Sequence, residues 1–439
     1  MKQQSLLHRA LALLLRPFTK VQPQEAVTVT IMTLAAFLLL SAYYLLKTVR
    51  EPLILLQGGA EVKLYARAGQ AIIMAGFVHV YGEIARRVGR MRLLAIVFLF
   101  FISNLVVFAL LARTTVEIGL PFFFWVGIFS YTIVAQFWAL AADIYTDEQG
   151  KRLFPIIGGG SSVGAVAGAR LAKALVKFGP STLMGTAVVI LLVCAALVIW
   201  VERRAVANHN AHPRDETHPD EPLSQESAFR VLARDRYLLL IAGMVILLNW
   251  VNSSGEYLLA RTLLVAAREA HAQGGIASEE AFVGAFKADY FAWYNLIGVM
   301  LQLFAVSRIL ALVGVRGALL FMPAFAMFAY GVAVFRPVLR VMRVVKIGEN
   351  GTQYSLQDTT RHALFLVTSR VEKFVGKTAI DTVAVRVGAI MSAVAVYVGT
   401  RLGWPTSLFA GINVVLAGGW MAFVIAIGRE HKRRSASAS

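Results

Sequence analysis

FRPVLRVMRVVKIGE, residues Phe335–Glu349, is the stretch that decides how the rest of the chain is interpreted. It places Arg336, Arg340, Arg343 and Lys346 in a segment that is otherwise mostly apolar. At about 100° per residue, the three arginines fall on one narrow arc of a helix, with the lysine beside it. Such charges are costly in a membrane unless they face water, a partner or a ligand. The stretch therefore predicts a functional site, provided that the chain spans a membrane.

The amino-acid composition indicates that the chain spans a membrane. The 439 residues are 58% hydrophobic and only 15% charged, with a mean hydropathy of +0.67, which is more apolar than a soluble fold can keep from water. A net charge of +18 would suggest nucleic acid in a soluble protein, but much of it lies between apolar segments, and no nucleic-acid recognition motif accompanies it. The single Cys194 cannot form an intrachain disulfide, so cysteine does not indicate a redox compartment.

Apolar segments long enough to cross a bilayer recur along the chain. They predict an all-α polytopic membrane protein with twelve transmembrane helices in a 6+6 arrangement. The predicted spans are 27–48, 65–84, 92–112, 120–143, 154–176 and 181–201 in the first half, and 237–260, 286–307, 315–335, 337–357, 378–400 and 405–427 in the second.

This pattern predicts a domain organisation in five parts. They are an N-terminal amphipathic segment (1–26), an N-terminal six-helix bundle (27–201), a cytoplasmic linker (202–236), a C-terminal six-helix bundle (237–428) and a basic cytoplasmic tail (429–439).

Lysine and arginine in the short loops predict the orientation. They follow spans two and four and recur in the terminal sequence HKRR, so we expect both termini on the cytoplasmic side of the cell inner membrane. The alternative places the basic-stripe helix at the interface, which leaves eleven spans and moves the tail outside, against the positive-inside rule.

Two loops suggest internal duplication. GEIARRVGRMRLL (Gly82–Leu94) and SRILALVGVRGALL (Ser307–Leu320) align Gly89 with Gly314, as in paired repeats that enclose a central site. The first loop also resembles the loop motif of the major facilitator superfamily, although Arg86 stands where that motif has an acid.

A glycine-rich stretch, IIGGGSSVGAVAGA (Ile156–Ala169), allows two interpretations. A phosphate-binding loop would need a GK[ST] ending, which is missing. Gly160, Gly164 and Gly168 instead repeat every fourth residue and line one helix face, which lets a neighbouring helix approach closely. We favour helix packing.

The linker carries His209, His212 and His218 among acidic residues and prolines. A metal site is conceivable, but nothing in this composition would fix the geometry of the ligands. A solvated linker is the simpler interpretation, and we predict neither a metal nor a cofactor.

Further polar residues lie in apolar surroundings. Spans one, four, seven and ten hold equivalent places in a repeat of three-helix units, and these helices line the cavity of facilitator folds. In spans one, four, seven and eleven the outlying residues are Lys47, Arg50, Glu51, Gln136, Asp143, Asn249, Asn252, Glu256, Lys377, Asp381 and Arg386.

Each of these has a structural alternative. Lys47, Arg50 and Glu51 can mark the membrane boundary, and Asp143 can be a loop charge. For the basic stripe the alternative is internal ion pairing with Glu349, Glu51 or Asp143. Because the bases outnumber the acids, we expect an anion to offset the remainder.

Three stretches together resemble the ATP:ADP antiporter family, the nucleotide transporters of plastids and intracellular bacteria, and especially its prokaryotic branch within the major facilitator superfamily. They are AYYLLKTVREPL (Ala42–Leu53), FWALAADIYTDEQGKRLFPIIGGGSSVGA (Phe137–Ala165) and YSLQDTTRHALFLVTSRVEKFVGKTAIDTVAVRVGA (Tyr354–Ala389). In the last stretch the matching residues are Tyr354, Ser355, Thr360, Arg361, Glu372, Lys373, Lys377, Ile380, Asp381, Arg386 and Gly388.

The resemblance implies twelve spans, alternating access and exchange of a nucleotide or a related phosphorylated anion. It also implies functional roles for Lys47, Lys373 and Lys377. The sequence departs from the family pattern at Val375, which replaces a lysine, and at Ala389 and Val126, which stand where the family has acids.

These observations predict a secondary active transporter, an antiporter of a nucleotide such as ATP or of another phosphorylated organic anion. It would be a monomer in the lipid bilayer that binds no nucleic acid. The predicted substrate-binding residues are Lys47, Arg50, Arg340, Arg343, Lys346, Asn249, Glu256, Lys373, Lys377 and Arg386, and the coupling or gating candidates are Glu51, Asp143, Glu349 and Asp381.

Two other functions stay open at this point. One is proton-coupled transport of another small solute, with Glu256, Asp143 or Glu349 titrating. The other is a membrane scaffold or lipid-handling protein that does not transport. An enzyme is not predicted, because no nucleophile–base spacing, metal-ligand cluster or cofactor fingerprint rises above background.

Overall fold

The computed structural model describes residues 21–88, 90–211, 234–276, 278–368, 376–377 and 380–438. Within these ranges every regular element is a helix. The N-terminal segment as far as residue 20, most of the predicted linker, and Lys373 among the predicted site residues lie outside them.

Twelve α-helices follow one another in the described residues. The first half contains α1 (Pro23–Arg87), α2 (Arg90–Leu111), α3 (Gly119–Ile144), α4 (Asp147–Leu175) and α5 (Pro180–Ala211). The second half contains α6 (Arg236–Ala272), α7 (Glu279–Phe304), α8 (Val306–Phe335), α9 (Leu339–Thr352), α10 (Asp358–Ala363), α11 (Val385–Arg401) and α12 (Thr406–Ala438). π-helical turns precede α10 (Gln353–Gln357) and α11 (Ile380–Ala384), and short 3-10 turns follow α4 (Val176–Phe178) and α10 (Leu364–Val367).

Eight helices in the described part of the chain are long and apolar enough to cross a membrane. One of these spans, Glu25–Met74, runs through a kink at Gly59, so that α1 contains the positions of the first two predicted spans. By contrast α9, which carries the basic stripe, has only 14 residues, fewer than the roughly 20 that a bilayer requires. π-helical turns follow α9 directly and end at Gln357, which is also the end of the predicted span 337–357.

The described residues group into two compact units. Unit 1 is drawn from Met1–Gln57, Ile72–Thr217 and Glu280–Ala292, and unit 2 from Gly58–Ala71, His218–Glu279 and Trp293–Ser439. Each unit thus contains one short segment from the other half of the sequence. The segment after the Gly59 kink belongs to unit 2, and the first part of α7 belongs to unit 1.

The glycine stripe of α4 packs against α1 within unit 1. A Cβ atom at Gly160 would lie 2.7 Å from the carbonyl oxygen of Thr33, and one at Gly164 or Gly168 would overlap the backbone of Phe37 or Ser41. The Ser41 hydroxyl donates a hydrogen bond of 3.0 Å to the carbonyl oxygen of Gly164. The predicted packing role is confirmed, and the stretch lies within a continuous helix rather than a phosphate-binding loop.

We therefore expect Gly164→Ala to destabilise the protein by about 1–3 kcal/mol, because the added methyl group would force two backbones apart. Gly158→Ala on the same helix is the matched control. Its Cβ would meet no atom within 4 Å, and alanine is a better helix former than glycine by roughly 0.5–1 kcal/mol. Chemical denaturation of the detergent-purified variants measures both effects. Equal stabilities for the two variants would contradict this packing.

Candidate functional site

The basic stripe on α9 does not lie in one environment. Arg336 precedes the helix and Arg340 is its second residue, and both side chains are exposed. Arg343 is partly buried, whereas Lys346 is completely buried. The structure therefore does not bring Arg340 to the place that Lys346 occupies, although the sequence predicted one site for both.

Acidic and amide groups of unit 2 surround Lys346. Its Nζ lies 2.9 Å from Oε2 of Glu349 and 3.7 Å from Oε1 of Glu256, and it donates to the carbonyl oxygen and Oδ1 of Asn252 at 3.3 Å. The Tyr330 hydroxyl donates to Glu349 at 2.7 Å, and the Asn350 amide donates to Glu256 at 3.1 Å. Two carboxylates thus balance the charge of one lysine. For Lys346, the structural alternative to a ligand site, an internal ion pair with Glu349, is therefore present.

A second lysine of unit 2, Lys63, lies close to Glu256. Lys63, from the segment after the α1 kink, lies 3.9 Å from Oε2 of Glu256. Two residues away, Glu61 accepts a 3.0 Å hydrogen bond from the Tyr257 hydroxyl. Sequence reasoning missed Lys63 because it falls in the expected loop between the first two spans.

In unit 1 a buried carboxylate lies between two cations. Glu51 is 2% exposed and Lys287 is fully buried, with 3.0 Å between Oε2 of the acid and Nζ of the lysine. The other carboxylate oxygen accepts a hydrogen bond of 3.1 Å from Nη2 of Arg50. Sequence reasoning also missed Lys287, although a lysine inside the predicted span 286–307 was a usable signal.

The Nε donor of Arg50 has no acceptor in the described part of the chain. Its guanidinium carbon lies 4.6 Å from the centre of the Phe123 ring, and its side chain is 13% exposed. Its Nε is buried and has no hydrogen-bond acceptor among the described residues. Leaving such a donor unsatisfied typically costs about 1–3 kcal/mol, and more for a charged group.

Lys47, one turn earlier on α1, is surrounded by aromatic rings. Its Nζ lies 4.7 Å from the ring centre of Phe291, 5.0 Å from that of Tyr44 and 5.8 Å from that of Tyr43. The faces of aromatic rings attract cations at such distances. This arrangement stabilises the ammonium group and places flat apolar surfaces beside it.

The two units differ in the balance of these charges. In unit 1, Lys47, Arg50 and Lys287 accompany the single carboxylate of Glu51. In unit 2, Lys63, Lys346 and Arg261, which lies 3.5 Å from the Tyr257 hydroxyl, accompany the carboxylates of Glu61, Glu256 and Glu349. Among these described side chains, the unit 1 group therefore has three cations to one carboxylate, and the unit 2 group has three cations to three carboxylates.

The remaining predicted site residues lie in other places in the structure. Asn249 donates to the carbonyl oxygen of Val245 on its own helix. Asp143 is exposed at the end of α3, and Arg386 is partly buried in α11. None of these three is part of either charged cluster just described.

Lys377 and Asp381 belong to a separate group of charges in unit 2. Arg361 lies 3.2 Å from Asp381 and 3.5 Å from Asp358, and Lys377 lies 4.0 Å from Asp381. Burial raises the pKa of the Asp358 carboxyl, and the Arg361 guanidinium opposes that rise. His362 has a lowered pKa because it is partly buried and lies near Lys377 and Arg361. These paired charges form a structural network around the π-helical turn before α11.

The described residues include no group of three or more His, Cys, Asp or Glu side chains that could hold a metal ion. His212 and His218 of the linker lie outside the described part of the chain.

Comparison with known proteins gives the fold. No protein family model matches the chain. The nucleoside transporter NupG superposes with a TM-score of 0.65 at 11% identity, covering 90% of this chain and 98% of NupG. An auto-inhibited POT family peptide transporter gives 0.64 at 13% identity, covering 93% and 97%. The fold is that of a membrane transporter. The predicted all-α polytopic fold is thereby confirmed.

A curated relative points in the same direction. The chain is 20% identical over 297 residues to ADP,ATP carrier protein 1 of Chlamydia pneumoniae, which corresponds to 59% of this chain and 56% of the carrier. The chain thus spans about half the length of the curated relative that it matches. This relative and the two structural neighbours are all named as carriers or transporters.

Proposed function

We propose that this chain is a secondary transporter that exchanges a phosphate-bearing organic anion, with a nucleotide as the first candidate, by alternating access. The observation that carries the proposal is the buried Nε of Arg50, a charged donor that has no acceptor among the described residues and lies one helical turn from Lys47. In this proposal the protein is a monomer of the cell inner membrane with both termini in the cytoplasm.

The chemistry of the α1 site favours phosphate. A guanidinium group has five donors in a rigid fork and can contact two phosphate oxygens at once, whereas a lysine acts as a point charge. Arg50 already uses one Nη on Glu51 and still presents Nε, so an anion at that edge would satisfy it without breaking the existing pair. Lys47 lies one helical turn away and would supply the second positive charge.

The aromatic rings near Lys47 support an organic anion. Tyr44 and Phe291 are 5.9 Å apart in an edge-to-face arrangement, and both contact the lysine. Flat rings of this kind stack with nucleobases. The name of the chlamydial relative, an ADP,ATP carrier, makes a nucleotide the first ligand to test.

A proton-coupled mechanism is the second candidate, and the unit 2 cluster favours it. Glu349 is 2% exposed and lies between the Tyr330 hydroxyl and Lys346. Buried ionisable residues of this kind form proton relays in membrane transporters. In this candidate function Glu349 or Glu256 would gain and lose a proton in each transport cycle.

Counterflow in proteoliposomes distinguishes the two mechanisms. We expect labelled ADP to enter vesicles that contain unlabelled ADP or ATP and to stay outside vesicles that contain only buffer. Vesicles without the protein are the control. Uptake into buffer-filled vesicles driven by a pH gradient alone would favour the proton-coupled mechanism instead. Absence of uptake under every condition would count against a nucleotide exchanger.

A further inference from the structure

Two helix ends in unit 2 bring exposed basic side chains together. The first of these helices, α8, changes direction at Gly314, where φ is 66° and ψ is 179°, a conformation that a residue with a Cβ rarely adopts. The kink divides α8 into a short piece, 306–313, and a longer piece, 315–335, which alone is long enough to cross a bilayer. The short piece is therefore not needed to span the membrane.

The short piece of α8 has one face packed on unit 2 and another face exposed. Its packed face belongs to a small apolar cluster that consists of Val306, Ala318, Leu356, Ile309 and Leu310. On the exposed face, Leu312 is 84% exposed and Val313 is 55% exposed. Apolar side chains at the end of a membrane span are stabilised when they enter the boundary between headgroups and acyl chains. The exposed face is therefore suited to contact with lipid.

The end of α12 lies directly against the start of the longer piece of α8. The side chain of Arg316 crosses the backbone of α12 at Gly428, since a Cβ atom there would lie 2.6 Å from both Cγ and Cδ of the arginine. Lys432 follows Gly428 by four residues, so it lies on the same face of α12, one turn further on. Arg429 is the residue next to Gly428. We call Arg316, Arg429 and Lys432, whose side chains are all exposed, the basic corner.

The charge of the basic corner is not balanced within the described part of unit 2. Two other basic residues near the end of α12 do have acidic partners, because Arg433 lies 2.6 Å from Glu430 and Arg434 donates to Asp235 at 2.6 Å. By contrast, no residue of the basic corner forms an ion pair with any described residue. Like charges at this separation repel each other, so an anion bound at the corner would be attracted by all three.

We propose that the basic corner binds the headgroup of an anionic phospholipid, whose acyl chains cover Leu312 and Val313. A free phosphate could contact the arginine fork but would leave these two apolar side chains uncovered. A lipid without net charge could cover them but would not offset the basic residues. An anionic phospholipid does both, and basic pockets between transmembrane helices are typical sites for such headgroups.

The bound lipid would connect two helices, because its phosphate would contact Arg316 of α8 together with Arg429 and Lys432 of α12. We therefore expect it to stabilise the packing of these helix ends. The site contains no residue of the α1 anion site, and its test uses no nucleotide. The proposal is thus independent of the proposed exchange of a phosphorylated anion.

Lipid titration of the detergent-purified full-length protein, followed by thermal unfolding, tests the proposal. A ligand that binds only the folded protein raises its apparent stability by mass action, so the dependence on lipid concentration gives an affinity. Dioleoyl phosphatidylglycerol should bind at least about tenfold more tightly than dioleoyl phosphatidylcholine, which has the same acyl chains but no net charge. Equal affinities for the two lipids would overturn the proposal.

Single variants locate the bound headgroup. Arg316→Gln and Lys432→Gln should each weaken the binding of phosphatidylglycerol about fivefold, which is the typical contribution of one basic residue at an anionic lipid surface. Arg401→Gln is the matched control, because it removes an exposed arginine of unit 2 that precedes α12 and so lies at the opposite end of that helix. It should change the affinity by less than about twofold. An equal loss for Arg401→Gln would show attraction by net charge alone and would overturn the site.

Two further measurements distinguish a lipid from a free anion. Leu312→Gln changes a side chain that makes little contact with the protein, so it should fold normally, and it should weaken phosphatidylglycerol binding about threefold through the loss of apolar contact. Glycerol phosphate, which has the anionic group without acyl chains, should give no stabilisation at concentrations at which the lipid does. Equal stabilisation by glycerol phosphate, or unchanged lipid affinity in Leu312→Gln, would contradict a lipid site.

Discussion

Arg50→Ala should weaken the binding of ADP by about ten- to a hundredfold. A hydrogen bond to a charged group contributes about 1.5–3 kcal/mol, and each 1.4 kcal/mol corresponds to a factor of ten. The variant removes the buried Nε donor that has no acceptor among the described residues, together with the positive charge of the guanidinium. Isothermal titration calorimetry of the detergent-purified protein measures the affinity directly.

Two further variants identify the source of this effect. Arg50→Lys keeps the charge but loses the planar fork, so its affinity should lie between those of the native protein and of Arg50→Ala. Arg340→Ala removes an arginine that is exposed on the basic stripe and should leave the affinity within about threefold. A larger loss for Arg340→Ala than for Arg50→Ala would show that the anion binds at the basic stripe rather than at Arg50.

Lys346→Met should destabilise the folded protein by about 3–5 kcal/mol. Removal of one partner from a buried ion pair leaves an uncompensated charge in a low-dielectric environment. Here the methionine would fill most of the lysine volume, but Glu349, 2% exposed, would lose the cation 2.9 Å away, and Glu256 would lose one of its two nearby lysines while it keeps Lys63 and the Asn350 amide. Chemical denaturation in detergent gives the loss of free energy.

A double variant shows whether charge is the cause. Lys346→Met combined with Glu349→Gln removes the unpaired carboxylate, and the glutamine can still accept from the Tyr330 hydroxyl. We expect the double variant to recover more than half of the stability that the single variant loses. A single variant that loses less than about 1 kcal/mol would show that Lys346 is not held in a tightly coupled buried cluster.

The sequence was sufficient for the fold because long apolar segments and interspersed basic loops are strong signals. It also predicted the glycine packing correctly, since Gly160, Gly164 and Gly168 repeat with the period of a helix face, and the structure places α1 directly against that face. Both inferences depend on local periodicity alone.

Periodicity could predict neither how deeply a side chain is buried nor which residues it contacts from distant parts of the sequence. Periodicity placed Arg340 and Lys346 near one arc of a helix, but it could not show that one side chain is exposed and the other fully buried. It also could not show that Lys63 and Lys287 reach acids in the opposite half of the sequence, because such contacts depend on tertiary packing. The described group with more cations than carboxylates includes Lys47 and Arg50, which the sequence had predicted as substrate-binding residues, with a membrane boundary as the alternative.

The most direct measurement of the central claim is a calorimetric titration of the native protein with ADP and with adenosine. The two ligands share the base and the sugar, so that only the phosphates differ. If Arg50 and Lys47 form an anion site, ADP should bind and adenosine should bind at least tenfold more weakly. Equal affinities for the two ligands, or an ADP affinity that is unchanged in Arg50→Ala, would contradict the account.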